Sequence, residues 1–543
     1  MTCVKRHEHT VSTQGGDQLK RTTWRRAAAV TVALGFLAAA CGSDEDEDTS
    51  PTTPAASTPA DGTEAPAASD APADTQAPGD TTAPDGTEAP EGTDAPADTG
   101  TDGTEAPDET NPAGEFGLVA DVYEGSGGFS IDPADCPEDW DPTQGISDEE
   151  IRLFMSLPTS GPFAGFGLIA DGAKSYFEYV NGNGGIDGRK IVLESKDDGY
   201  APDKTKSNVD EAIGSGDYAA LFGTLGTANN LAVWDTTNDE CMPQLLNATG
   251  AAQWGDVENH PWTTGMQIDY FTEAQLWASW LQAEHPELTK VAMVTFNNDF
   301  GKSYSNGFKA YIEGTELEIV AEELHEPTAP NLTNQFTTLA ASGAEVLLIQ
   351  TSGAFCTQAM SEVEKGSWKP LVIMSGTCAS LSQFFKPLID QGLTGKDTYL
   401  IQTFKDVNDQ AYADDEYVQL YHETVTAQGL DSTQTTYATG WIFAHYMTEI
   451  LKLAATYEGG LDRGNIMLAA RAIDQPMPLL LDGLSAKMNG LEDAYLTEGG
   501  QMAIYTVSDP GQLGTFVKVG ELINNEGQLG TYASVLEASG LEG

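Results

Sequence analysis

The sequence predicts an α/β fold made of two similar lobes, each an open parallel sheet covered by helices on both faces. From residue 151 onwards, short apolar segments alternate with segments in which apolar residues recur at helical spacing. Such alternation is typical of repeated β-α-β units. It occurs twice along the chain, so we expect a cleft between two sheets, where ligands bind beyond the carboxyl ends of the strands.

The first set of elements begins with a compact apolar strand, Ile151 to Ser156, followed by a turn rich in Pro and Gly. In the next segment apolar residues recur at helical spacing from Ile169 to Val180. A Gly- and Asn-rich turn, Asn181 to Gly188, ends this helix. The other elements predicted for the set are strands at 190–195, 219–223 and 243–246 and helices near 204–213 and 229–237.

The second set repeats the pattern. Its predicted helices are 272–284, 302–313, 331–341 and 355–365, and its predicted strands are 291–296, 317–322, 346–350 and 371–374. In both sets the loops after the strands are small, polar and rich in Gly, so the backbone can approach a ligand there. These loops are 160–167, 223–229, 247–251, 297–301, 351–355 and 375–378.

Length and composition limit the classes of protein to consider. A chain of 543 residues is too long for one core at ~100–200 residues per domain. Its 26 Lys and Arg against 83 Asp and Glu give a net charge of −57. This excludes ordinary nucleic-acid binding over most of the surface, because a phosphate backbone requires a basic face. No apolar run reaches the ~20 residues of a membrane span.

The first forty residues predict an export signal. Four basic residues between positions 20 and 26 precede a short apolar segment, Ala27 to Ala40, which has the length of a signal-peptide core. The segment Leu37-Ala-Ala-Ala-Cys41 resembles a bacterial lipobox, so we expect a lipidated Cys41 at the mature N-terminus. A plain secretory signal with an incidental Cys, and twin-arginine export through Arg25 and Arg26, are the alternatives.

Residues 44–112 are predicted to be a disordered tether. They contain 19 acidic residues, no Lys or Arg, no aromatic residue and no Leu, Ile or Val. Such a segment cannot bury enough apolar area to offset the entropy of ordering it. The tether is either a spacer that lifts a folded body off a membrane or a solvating tail without a partner.

Catalytic signatures are absent from the sequence. It contains no Gly-x-Ser-x-Gly, His-Glu-x-x-His or Gly-x-x-x-x-Gly-Lys-Ser/Thr run, and no Gly-x-Gly-x-x-Gly run. We therefore expect no enzyme, no catalytic residue, no metal site and no cofactor.

Five motifs occur in a characteristic order. They are Leu157-x-x-Ser-Gly-Pro-x-Ala-x-x-Gly167, Gly223-Thr-Leu-Gly-Thr227, Gln244-Leu-Leu-Asn-Ala-Thr-Gly250, His260-Pro-Trp-Thr-Thr-Gly265 and Asn298-Asp-Phe-Gly301. In this order they resemble the type I periplasmic substrate-binding proteins of ABC importers, in the leucine/isoleucine/valine-binding branch. The resemblance covers about residues 148 to 530.

The resemblance implies a domain organisation with a hinge of several crossing strands. We expect a signal peptide (1–40), the lipidated Cys and tether (41–112) and an N-terminal extension (113–146). Lobe one is expected at 147–264 with a return segment at about 402–474, and lobe two at about 265–401 and 475–543.

The function that the resemblance implies is capture of a small ligand between the lobes. The expected protein is a lipid-anchored receptor on the outer face of the cytoplasmic membrane, with ABC permease and ATPase subunits as partners. A binding module that presents its ligand to a signalling receptor would have the same fold and site, and it remains the alternative.

The family's site residues can be carried over position by position. In the family, lobe one holds a ligand carboxylate with backbone N–H groups and small hydroxyl side chains. Neutral donors near a helix N-terminus suit that role. The matching positions are Gly226, Thr227, Asn247, Ala248 and Thr249.

Phe166 and Phe300 match positions where the family has aromatic walls, and Thr377 matches the position of an acid that binds the ligand's amine. Desolvating an ammonium without a carboxylate is expensive. The ligand is therefore a branched-chain amino acid only if Asp269 or Asp299 replaces this acid. Otherwise it is an amide, a urea-like molecule or a carboxylate without an amine.

The folded body has four cysteines, which an exported chain can oxidise. Cys356 and Cys378 both follow strands of lobe two that are expected to be neighbours, so we expect them to pair. Cys136 and Cys241 would then pair at the amino ends of lobe-one strands. Free thiols are the alternative.

Overall fold

The computed structural model describes residues 116–509 and 511–539. The predicted signal peptide, Cys41 and the tether lie outside the described residues. The described chain begins with a small antiparallel sheet of three strands, β1 (Gly117–Val119), β2 (Val122–Glu124) and β3 (Ser130–Ile131). Strands this short show no alternation of apolar and polar residues, so the sequence predicted only an extension here.

The N-terminal extension packs against the first lobe. The Tyr123 hydroxyl donates a hydrogen bond of 2.9 Å to the Asp462 carboxylate. Trp140 Nε1 donates one of 3.1 Å to the carbonyl oxygen of Cys241. A disulfide joins Cys136 to Cys241, so the extension is covalently fixed to this lobe.

The first lobe contains one parallel sheet. Its strands are β4 (Glu150–Leu157), β5 (Lys190–Asp197), β6 (Ala220–Phe222), β7 (Gln244–Asn247) and β8 (Thr263–Gly265), in the order β5-β4-β6-β7-β8. Its first helices are α1 (Leu168–Gly182), α2 (Pro202–Ser215) and α3 (Thr227–Asp239). β4 lies between two strands and is largely buried, which explains its continuous apolar sequence. The sequence predicted all of these elements except β8.

The second lobe repeats the architecture, as predicted. Its helices are α4 (Tyr270–Glu284), α5 (Asp299–Ile312), α6 (Thr333–Ala341), α7 (Ala354–Lys365) and α8 (Lys386–Asp390). Its parallel strands are β9 (Lys290–Phe296), β10 (Glu318–His325), β11 (Val346–Gln350), β12 (Leu371–Met374) and β13 (Thr398–Gln402), in the order β10-β9-β11-β12-β13. A short π-helix, Leu381–Phe385, precedes α8.

After β13 the chain returns to the first lobe and forms α9 (Glu416–Ala427), α10 (Thr435–Ala454) and α11 (Arg463–Ala470). α10 packs closely on α1 through two glycines. A Cβ at Gly172 would lie 2.0 Å from the Tyr437 carbonyl oxygen, and one at Gly440 would lie 1.9 Å from that of Ile169. The two helices therefore meet backbone to backbone.

The return segment extends beyond its predicted end at about residue 474. The side chains of Met477, Leu480 and Leu496 are still part of the first lobe's apolar core. The chain then adds β14 (Gly499–Thr506), β15 (Thr515–Lys518) and β16 (Ile523–Asn524) to the second sheet. It ends in α12 (Tyr532–Ser539).

Three segments connect the lobes. The chain leaves the first core after β8 and enters the second at α4 through residues 266–269, returns through 403–406 and crosses again at 497–498. A body divided in this way can open and close about its crossing segments.

Candidate ligand-binding cleft

A cavity of about 190 Å³ lies between the two lobes. Residues beyond the carboxyl ends of β6 and β7 form one part of its wall, and the first turns of α4 and α5 form another. The loop after β12, the crossing segment at 403–406 and α10 also contribute to the wall. The cavity thus lies where open parallel sheets bind their ligands.

Most of the ligand positions expected from the sequence lie around this cavity. Those that contribute to its wall are Phe166, Gly226, Ala248, Thr249, Phe300 and Thr377. Thr227 and Asn247 are buried just behind the wall. The Thr227 and Thr249 hydroxyls form a hydrogen bond of 2.6 Å, so Thr227 orients the Thr249 side chain.

The lobe-one side of the cavity offers hydrogen-bond donors. Gly226 precedes the first turn of α3 with a φ of 101°, and no side chain caps that turn. Trp254 Nε1 donates to the Thr249 carbonyl oxygen at 3.0 Å, which holds the backbone of that loop. Uncapped N–H groups at a helix N-terminus, next to a buried hydroxyl, favour an anionic group.

Phe300 is both a wall residue and a core residue. Its ring meets those of Tyr270 and Tyr304 edge-on, with centroids 4.8 and 5.3 Å apart. The motif predicts a cleft aromatic at this position, and the aromatic cluster around α5 explains why the ring is also buried in the second lobe.

An acid that the sequence did not indicate, Glu273 in the first turn of α4, lies beside the loop that carries Thr377. Its Oε1 accepts a hydrogen bond of 2.8 Å from the Gly376 N–H, and its Oε2 accepts one of 2.7 Å from the Tyr304 hydroxyl. Glu273 lines the cavity. It reaches the loop after β12 from a helix 103 residues earlier in the chain, so only the fold brings them together.

Burial raises the pKa of the Glu273 carboxyl to about 7, although the bonds from Tyr304 and Gly376 oppose the rise. A cation beside this carboxyl would stabilise its ionised form. The local sequence gives one indication that Glu273 is buried. The residue lies on the buried side of its helix, among the apolar residues Phe271, Ala274 and Trp277.

Neither Asp269 nor Asp299 takes the place of this acid. Asp269 is buried, caps α4 by accepting a hydrogen bond of 2.9 Å from the Thr272 N–H, and does not line the cavity. Asp299 lies on the exposed side of α5, where its Oδ1 is 3.7 Å from Lys302 Nζ.

Phe163, in the turn before α1, crosses from the first lobe into the second. Its ring stacks on Tyr200 of its own lobe at 4.0 Å and lies 5.8 Å from Phe296 and 6.2 Å from Phe355 of the other lobe. Only 1% of Phe163 is exposed. A Cβ at Gly353 would lie 2.5 Å from the Phe163 ring, so the glycine leaves room for it.

Hydrogen bonds also join the lobes beside the cavity. The Ser382 hydroxyl of the π-helix donates to Thr435 Oγ1 at 3.2 Å, and the Thr436 hydroxyl donates to Gln383 Oε1 at 2.8 Å. With Phe163, these contacts define a closed arrangement of the two lobes.

A disulfide between Cys356 and Cys378 fixes the loop that carries Thr377 to α7. Thr377 itself shares a hydrogen bond of 2.6 Å with the Ser375 hydroxyl. The loop over Glu273 is therefore held on both sides.

Two further findings concern the described part of the chain. Within residues 116–509 and 511–539 no helix combines the length and apolarity needed to cross a bilayer. The same residues contain no group of three or more His, Cys, Asp or Glu side chains able to hold a metal ion.

Known proteins share this sequence pattern. Residues 150–502, more than half of the chain, match a family described as periplasmic binding protein. The chain is 27% identical over 204 residues to Leu/Ile/Val-binding protein homolog 3 of Brucella melitensis, covering 36% of this chain and 53% of that protein. It is 23% identical over 185 residues to Leu/Ile/Val-binding protein BraC3 of Rhizobium johnstonii, covering 34% and 49%. These matches span about half the length of the curated relatives.

Solved structures share the fold over almost their whole length. A fatty acid ABC transporter substrate-binding protein from Thermomonospora curvata has a TM-score of 0.60 at 18% identity, covering 72% of this chain and 96% of that one. A branched chain amino acid ABC transporter from Thermus thermophilus with bound valine has a TM-score of 0.62 at 15% identity, covering 72% and 99%. A solute binding protein from R. palustris in complex with benzoate has a TM-score of 0.56 at 15% identity, covering 70% and 98%.

Proposed function

The chain belongs to the periplasmic binding protein family, and from this premise we propose that it is the substrate-binding component of an ABC importer. We propose further that it captures a small carboxylate bearing an amine between its lobes. The cavity wall carries the proposal, because it presents hydrogen-bond donors from lobe one and the carboxyl of Glu273 from lobe two.

The first turn of α3 and Thr249 are the proposed seat of the ligand carboxylate. Their N–H and hydroxyl groups replace water around an anion, and the helix terminus adds a favourable partial charge. Ala248 and Gly226 leave space for the carboxylate because their side chains are small or absent.

Glu273 is the proposed partner of the ligand amine. Each of its oxygens already accepts one hydrogen bond, and a carboxylate oxygen can accept a second. The ligand ammonium would compensate the buried negative charge, which has no cationic partner among the ion pairs of the described residues. This supports an amine-bearing carboxylate over an amide or a urea.

The middle of the cavity favours an apolar body. Phe166, Ile169, Phe384 and Phe443 line it. Valine, benzoate and fatty acids, named for the structural relatives, all join a carboxylate to an apolar body. Of these three, only valine carries the amine that Glu273 would bind.

A thermal-shift screen of amino acids, amides, ureas and aromatic acids tests the proposed ligand class. Binding to the native state raises the melting temperature by mass action. We expect apolar α-amino acids to raise it, and the proposal fails if only molecules without an amine do so.

Replacing the Thr249 hydroxyl is expected to weaken this binding. For Thr249→Ala we predict binding of norleucine weaker by about 10- to 150-fold in titration calorimetry, because a hydrogen bond to a charged group contributes ~1.5–3 kcal/mol. Thr249→Ser keeps the hydroxyl and serves as the matched control. If Thr249→Ala binds norleucine with unchanged affinity, the ligand carboxylate does not bind at Thr249.

Cys41 is the proposed lipid anchor, and the tether after it would hold the folded body near the permease and ATPase subunits. Cys41→Ser is expected to release the protein from the membrane fraction into the soluble fraction, because the lipid supplies the membrane affinity. Fractionation followed by immunoblotting measures this. A variant that stays with the membranes as firmly as the parent chain contradicts the anchor.

A further inference from the structure

A second buried carboxyl faces the cavity from the crossing segment between β13 and α9. Asp406 is only 6% exposed and lines the cavity. Its Oδ1 accepts a hydrogen bond of 2.8 Å from the Asn408 N–H. Burial raises the pKa of this carboxyl to about 7, and the nearby charge of Asp409 adds to the rise.

The neighbouring lysine does not neutralise Asp406. Lys405 Nζ is occupied by Asp415 and Asp482, each at 3.0 Å. Those three side chains carry a net negative charge of their own. None of the ion pairs between described residues includes Asp406, so the cavity has an uncompensated acid at this point.

Apart from Lys405 and Asp409, the groups described around Asp406 are neutral. Asn408 Nδ2 donates to the Thr433 carbonyl oxygen at 2.9 Å, which fixes the loop to the start of α10. Asn408 Nδ2 also donates to Thr435 Oγ1 at 3.4 Å, and Thr435, Thr436 and Gln383 line the cavity. Hydrogen bonds join Thr435 and Thr436 to the other lobe, so a ligand group beside Asp406 would be enclosed.

We propose that Asp406 forms a second ligand subsite, which binds an amine at the far end of the ligand. The inference rests on the proposed function, in which the carboxylate and first amine lie between Thr249 and Glu273. It specifies the substrate class as an amino acid with a second, terminal ammonium.

The two acids come from separate elements of the cavity wall. Glu273 belongs to α4, whereas Asp406 belongs to the crossing segment next to α10, and no contact joins the two carboxyls. Apolar side chains, including Ile401, Phe404 and Ile442, line the cavity as well. A ligand with an aliphatic chain between two polar ends could bind both acids through its amines and pack its chain against this apolar surface.

Four ligands of equal chain length test the inference: hexanoate, norleucine, 6-aminohexanoate and lysine. Norleucine adds the first amine to hexanoate, 6-aminohexanoate adds the terminal amine, and lysine carries both. The experiment is titration calorimetry of the full-length chain at pH 8, where Asp406 is mainly ionised. We expect lysine to bind at least tenfold more tightly than norleucine, in line with a hydrogen bond between charged groups.

Asp406→Asn is expected to abolish the preference for lysine over norleucine. Asparagine keeps the shape and the acceptor for the Asn408 N–H. Asp409→Asn is the matched control, because Asp409 caps a neighbouring turn by accepting from the Ala411 N–H at 2.9 Å and does not line the cavity.

The possible outcomes separate the two proposals. Norleucine binding as tightly as lysine to the parent chain overturns the second subsite and leaves the proposed function standing. An undiminished lysine preference in Asp406→Asn also overturns it. If neither amino acid binds, the proposed ligand class fails and the second subsite fails with it. If Asp406→Asn does not fold, the affinities of the parent chain for lysine and norleucine still test the second subsite.

Discussion

Glu273→Gln is expected to weaken the binding of norleucine by about 2–4 kcal/mol, which is about 30- to 700-fold in Kd. The substitution keeps the shape and an acceptor for the Gly376 N–H or the Tyr304 hydroxyl, but it removes the negative charge. The ligand ammonium would then be buried against a neutral amide. Titration calorimetry of the variant and the parent chain at pH 8 measures the difference.

Hexanoate provides the control for Glu273→Gln, because it lacks the amine and its affinity should change little. A variant that binds norleucine as tightly as the parent chain contradicts the role of Glu273. The pH dependence adds a second measurement. Affinity of the parent chain for norleucine should increase as the pH rises through about 7, where Glu273 ionises, and the variant should lose that increase.

The same carboxyl affects the stability of the empty protein in the opposite sense. The folded chain holds the Glu273 proton more tightly than the unfolded chain, since the pKa rises from 4.5 to about 7 on folding. Its contribution is therefore fully present below about pH 4.5 and is lost as the pH rises through about 7. Glu273→Gln should reduce the fall in melting temperature across that window.

Phe163→Ala is expected to weaken ligand binding by about 3 kcal/mol, or about 150-fold in Kd. The Phe163 ring is buried between the lobes against Tyr200, Phe296 and Phe355. We expect opening of the cleft to withdraw the ring from Phe296 and Phe355, so its contacts across the cleft would stabilise only the closed arrangement. Loss of the ring shifts the population toward the open state, and the apparent affinity falls with it.

Phe163→Leu keeps most of the apolar volume and should retain most of the affinity. Calorimetry gives the affinities, and small-angle scattering with ligand present reports whether the variant remains more open. If Phe163→Ala binds norleucine as tightly as the parent chain, the cross-lobe contact does not contribute to closure.

Local patterns predicted the sheets and helices because each buried strand and each amphipathic helix carries its own signal. Strands β11 and β12 have the bounds that their apolar runs indicate. The positions of Gly226, Thr249 and Phe300 followed from the family's motifs, since these lie in loops at the ends of predicted strands.

The residues of the candidate site that the sequence did not indicate depend on contacts between distant segments. Glu273 meets Gly376 across 103 positions, and its sequence context is that of an ordinary helix. Phe163 stands in a Pro- and Gly-rich turn, and only the second lobe gives it a partner. Asp406 lies in a crossing segment without periodicity, so no local pattern indicated that it would face the cavity.

In the proposed cleft, lobe one binds the ligand carboxylate and an acid of lobe two binds the ligand amine. One comparison of ligands tests this arrangement. Titration calorimetry of the parent chain with norleucine and hexanoate isolates the contribution of the amine, because the two ligands differ only there. We expect norleucine to bind at least tenfold more tightly than hexanoate. Equal affinities, or tighter binding of hexanoate, would contradict it.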